Sequence, residues 1–121
     1  MDAATMTQAA IVLFAIGALG GLVMAFQVFR GRDRPWSWLA MGHGFLGAAG
    51  LTLLIWATVM AGVPSLVNTG LVLLVLAALG GVTLALKYHV KMLPLSRPLV
   101  LGHAALAVVG FVLVLLGAKG G

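Results

Sequence analysis

The sequence predicts an all-α membrane protein, with four transmembrane helices forming an up-down bundle built from two parallel-oriented two-helix repeats, N-out and C-out. Three observations predict this. Hydrophobic residues make up 63% of the 121-residue chain and charged residues only 7%, far from the balance of a soluble globular domain. The apolar residues gather into four runs, residues 9–29, 38–62, 66–86 and 99–118. Each run has about 20 residues or slightly more, enough to cross roughly 30 Å of hydrocarbon. Finally, the second half of the chain repeats the first at an offset of 60 residues.

The first run is too long for a signal-peptide core, and its positive charges follow rather than precede it, so it is expected to remain as a helix. Arg30, Arg32, Arg34 and Pro35 then form a basic loop, with Trp36 and Trp38 at the membrane interface, where amphipathic rings are favoured. The second run carries His43 and ends at a turn around Val63-Pro64-Ser65. The third run leads into a second basic loop with Lys87, Lys91, Pro94, Arg97 and Pro98, and the fourth carries His103. Short connections favour antiparallel neighbours. No run contains an Asp or Glu. The whole chain, residues 1–121, reads as a single transmembrane domain.

The repeat pairs residues of about 9–62 with residues of about 66–118, without a gap. Ala18-Leu19-Gly20-Gly21 falls on Ala78-Leu79-Gly80-Gly81, and Gly42-His43 falls on Gly102-His103. Each copy holds an even number of spans, so both insert in the same sense about an axis along the membrane normal. The two histidines then lie at one depth, roughly 7–8 Å inside the helix starts at 1.5 Å rise per residue.

Net charge is +5, but the cations cluster in alternate loops, the positive-inside pattern. Both basic loops are therefore expected on the cytoplasmic side, of a bacterial inner membrane. They read as topology determinants and anionic-lipid contacts rather than as a nucleic-acid site. The chain has no cysteine, which excludes disulfides, cysteine-held iron–sulfur clusters and thioether-attached haem.

Ionisable side chains at this depth are functional candidates by default. At helical spacing His43 shares its face with Gly47 and Gly50, and His103 shares its face with Ala107 and Gly110. Small residues there let helices approach and open a slot for a flat ligand. Two imidazoles across such a slot would supply both axial ligands of a haem b iron, with Arg34 and Arg97 near the propionates. Three other readings remain open. The histidines could bond helices together in a non-redox subunit, each could ligate the magnesium of a chlorophyll-type pigment, or they could serve proton-coupled transport. Two histidines alone under-ligate a divalent metal. His89 reads as an interface or basic-loop residue, with quinone or propionate binding as the alternative. The Ala-Leu-Gly-Gly segments read as helix-packing faces, and Met24, Met41 and Met60 as lipid-facing or packing residues.

The four spans, the repeat and the two Gly-His pairs resemble small four-helix membrane b-type cytochromes, loosely the cytochrome b561-like architecture. That resemblance implies electron transfer through haem, in exchange with quinone or with a neighbouring redox subunit of a larger complex or homo-oligomer. Members commonly hold two haems on four intramembrane histidines, whereas this chain offers two such histidines. Resemblance to small multidrug transporters stops at size, because those proteins use a membrane-embedded glutamate.

Overall fold

Apolar runs of this length place no water beside the backbone, so each segment must satisfy its own N–H and C=O groups by forming a helix. In the computed structural model, which describes residues 1–120, they do so as α1 (Ala3–Phe29), α2 (Ser37–Ala61), α3 (Ser65–Leu84) and α4 (Arg97–Gly120). All four are long and apolar enough to span a membrane, the third counted through His89. Among the described residues there are no strands. Helix α1 starts six residues earlier than the apolar run suggests (Ala3 against Ala9). Asp2 caps it by accepting from the Thr5 N–H at 2.7 Å. That backbone hydrogen bond holds the Asp2 carboxyl below the usual carboxylate range. The cap's contribution is complete above the ordinary carboxylate pKa and is lost as pH falls through the lowered one.

Helices α1 and α2 pack closely as one hairpin, and α3 and α4 as another; α1 also touches α4, and α2 touches α3. The backbones of α2 and α4 do not meet, nor do those of α1 and α3, so these pairs lie on the diagonals of the bundle. Close packing within the hairpins rests on small residues. Gly50 faces the Phe14 ring, and Gly110 faces the Gly70 backbone and Leu74. The apolar core lies toward the turn that joins α2 to α3. It is formed by Ala10, Phe14, Leu54, Val67, Leu71, Leu74 and Val114, with the rings of Phe14 and Phe111 edge to face at 6.3 Å.

At the other end the two basic loops interlock. Leu95 N–H donates to the Asp33 carbonyl at 2.9 Å, and Arg34 Nη1 donates to the Met92 carbonyl at 2.9 Å. His89 Nε2 lies 3.1 Å from the Pro35 carbonyl. Helix α3 ends in a wide turn over Ala85–His89, closed by Val90 N–H to the Ala85 carbonyl at 2.8 Å. Met92 then takes a left-handed φ of 60° to reverse the chain.

The glycine contacts make a testable distinction. A Cβ at Gly70 would collide with the Gly110 carbonyl and Val114, whereas one at Gly42 would meet nothing within 4 Å. Gly70→Val is therefore expected to cost about 1–3 kcal/mol through overpacking, read as a lowered thermal unfolding midpoint in detergent. Gly42→Ala should leave that midpoint unchanged or slightly raised.

Candidate functional site

Each histidine is the seventh residue of its helix, counting from Ser37 in α2 and from Arg97 in α4. That places both about 9 Å beyond the helix start, slightly deeper than the apolar runs alone suggest. Both rings are half-buried. Their centroids are 6.1 Å apart with an interplanar angle of 79°. Because α2 and α4 are diagonal, the imidazoles bridge a gap that their backbones leave open.

The hydrogen bonding is the same around both rings. His43 Nδ1 lies 2.7 Å from the Gly17 carbonyl oxygen of α1, and His103 Nδ1 lies 2.6 Å from the Ala77 carbonyl oxygen of α3. A carbonyl oxygen can only accept, so Nδ1 is the donor in each ring and Nε2 is left as the free nitrogen. Neither Nε2 has a hydrogen-bond partner among the described residues, and neither is sealed from access. A backbone carbonyl on Nδ1 is the arrangement that orients a ligating imidazole and raises its basicity.

The Ala-Leu-Gly-Gly segments, expected as packing faces, turn out to seat these rings. A Cβ on Gly21 would come within 3.0 Å of His43 Cε1, and one on Gly81 within 3.0 Å of His103 Cε1. Gly20 and Gly80 face the Cβ atoms of the same histidines at 4.0 and 3.6 Å. The signal for this was present in the sequence. Gly-Gly precedes Gly-His by the same distance in both halves, but nothing in that spacing says which face of α1 meets α2.

The expected slot needs correction at two of its four positions. Gly50 is filled against by Phe14, and Gly110 by Gly70, Leu73 and Leu74. Both serve the close approach of helices within a hairpin, because their face of the helix turns toward the hairpin partner rather than the diagonal. Gly47 is half-buried and a Cβ there would meet nothing within 4 Å; Ala107 is also half-buried. Arg34 is drawn into the loop contact with Met92. Arg97 extends over the Phe29 ring at 6.0 Å, with Nη2 3.5 Å from the Val28 carbonyl. His89 ties the two loops together, apart from the ring pair. Buried Gln27 accepts from the Trp36 N–H at 3.2 Å and so fixes the entry to α2. Met41 and Met60 are exposed on the helix surfaces and Met24 is partly buried.

The ligand chemistry of the pair is narrow. Two imidazoles bound through Nε2 to opposite sides of one metal, with bonds of about 2 Å and a ring radius of about 1 Å, have centroids roughly 6 Å apart. The observed centroid separation is of that size, with the rings edge to face at 79°. Among the described residues no group of three or more His, Asp or Glu side chains comes together, so a tetrahedral site built from protein ligands alone is short of donors.

No family model, curated protein or solved structure matches the chain.

Protonation at Nδ1 is directly measurable. Nitrogen-15 spectra of the histidine side chains should show, for both His43 and His103, a protonated Nδ1 and a bare Nε2. The reversed tautomer at either position would contradict the carbonyl contacts. Gly21→Val and Gly81→Val should each displace the nearby ring and perturb that signature more than Gly42→Ala does.

Proposed function

We propose that this chain is a membrane electron-transfer subunit that holds one b-type haem between its two hairpins, with His43 and His103 as axial ligands. The observation that carries the reading is the meeting of two imidazoles from different hairpins, 6.1 Å apart and each with Nε2 unpartnered. A bound haem supplies one-electron chemistry at its iron, and two histidine ligands leave no open position for oxygen. The Gly17 and Ala77 carbonyls set the tautomer and orientation of the ligands, while Gly20, Gly21, Gly80 and Gly81 give the rings room. Gly47 and Ala107 keep bulk away from the faces next to the histidines. Arg97, six residues before His103, is the cation for a propionate.

In this reading the chain is two copies of one helical hairpin about a two-fold axis along the membrane normal. The recurrence of the Nδ1-to-carbonyl contact at the same spacing supports it: Gly17 with His43, and Ala77 with His103. The two basic loops lie on the cytoplasmic side of a bacterial inner membrane with both termini outside, supported by Arg30, Arg32, Arg34, Lys87, Lys91 and Arg97 falling at one end. The kinship is with small four-helix b-type cytochromes, in a single-haem form. The electron partner is quinone or a neighbouring redox subunit. A specific observation also favours a second reading, a non-redox scaffold, because each Nδ1 bond ties one hairpin together. That role makes no use of either free Nε2.

An absorption spectrum separates the two. Protein purified from cells supplied with haem precursor should show a Soret and an alpha band that sharpen on dithionite reduction. His43→Ala and His103→Ala should each abolish the six-coordinate spectrum, and His89→Gln should preserve it. A folded wild-type protein that remains colourless after incubation with haem would sink the haem reading and leave the scaffold. Extractable magnesium pigment would replace it with the pigment reading.

A further inference from the structure

One cavity of the molecule is away from the histidine pair. It lies where the basic loops interlock, has a volume of about 500 Å³, and is bordered by Arg32, Asp33, Arg34, Trp36, Trp38 and His89. Its chemistry is that of an anion site at a membrane surface. Its lining carries two guanidinia and one carboxylate, and among the described residues neither arginine forms an ion pair with that carboxylate or any other. Arg32 Nε donates to the Arg34 carbonyl at 3.1 Å, and Arg34 Nη1 donates to the Met92 carbonyl. Both guanidinia are thus anchored by main-chain oxygen while their remaining N–H groups stay available. Such a planar fork matches the oxygens of a phosphate.

The walls say where that phosphate comes from. Trp36 and Trp38 stack at 5.8 Å with an interplanar angle of 19°, yet they remain 44% and 68% exposed. Exposed indoles at the end of an apolar bundle mark the headgroup level of a bilayer. A phosphate there belongs to a lipid whose chains run down the neighbouring apolar helix surface, past exposed Met41 and Phe45. The loop that carries the guanidinia is pinned by Leu95 to Asp33 and by His89 to Pro35, so the cavity is held by both halves of the chain.

We propose that this cavity is a binding site for the phosphodiester of an anionic phospholipid, gripped by Arg32 and Arg34 with the indoles of Trp36 and Trp38 alongside its glycerol region. The site is independent of whether the histidine pair holds haem. Bound lipid would brace the two loops against each other and so stiffen the contact between hairpins.

The test is quenching of tryptophan fluorescence by brominated lipids in vesicles, in a Trp56→Phe background so that only Trp36 and Trp38 report. Brominated phosphatidylglycerol should quench several-fold more effectively than brominated phosphatidylcholine. Arg32→Gln should reduce that preference about fivefold, the equivalent of about 1 kcal/mol for one basic residue at an anionic surface. Asp33→Asn should increase it. Arg30→Gln removes the same charge from the same loop, but Arg30 lies over the Phe26 ring and outside the cavity, so the preference should persist. Equal quenching by the two lipids would overturn the proposal, as would an Arg30→Gln effect as large as that of Arg32→Gln. Displacement of the anionic lipid by millimolar inorganic phosphate would reassign the site to the free anion and overturn the lipid assignment.

Discussion

The structure depends on how Nδ1 of two imidazoles is satisfied inside a bilayer. A polar nitrogen facing hydrocarbon without a partner costs several kcal/mol, and here Nδ1 of each ring avoids that cost by donating to a backbone carbonyl of the adjacent helix. Such a carbonyl is already the acceptor of its own helix, so it must offer its second lone pair, and the imidazole must come very close to the backbone. That closeness requires a surface without side chains. Gly20, Gly21, Gly80 and Gly81 provide it, and the same hydrogen bonds set the register of α1 against α2 and of α3 against α4. The close packing of each hairpin and the placement of its ring follow from one contact.

The second level of organisation is the contrast between packing within hairpins and packing between them. Gly50 against Phe14, and Gly70 against Gly110, bring partner helices into close contact. Between hairpins the contacts are fewer, and the shared core is concentrated toward the α2–α3 turn around Phe14, Leu74 and Val114. The loop end is held differently, by hydrogen bonds from one basic loop to the other. The histidine pair therefore sits between an apolar clamp and a polar one. A ligand there would be gripped by both halves of the chain while entering through their loosest contact.

Much of this was legible in the sequence. Run length and charge distribution mark four spans, and the offset of 60 residues marks His43 and His103 as equivalents. Their proximity could not be read, because helical periodicity assigns a face without saying what that face meets. The same gap explains Gly50 and Gly110. They share the histidine face at i+7, yet the face is wide enough to be divided between the hairpin partner and the diagonal, and only packing shows which claims them. The start of α1 was also hidden, since Asp2 caps a polar first turn that lies outside the apolar run. The wide turn at Ala85–His89 has no hydropathy signature at all.

The account stands or falls on whether the two rings face one another in a bilayer. In a His89→Gln background, only His43 and His103 carry imidazole, so nitrogen-15 or carbon-13 dipolar recoupling on histidine-labelled protein in lipid reports a single ring-to-ring distance. The account predicts a separation close to the 6.1 Å between centroids, widening only slightly if a metal is bound between them. Rings farther apart than a helix diameter, about 10 Å, would mean that the histidines point outward to lipid or to other subunits, and would contradict it.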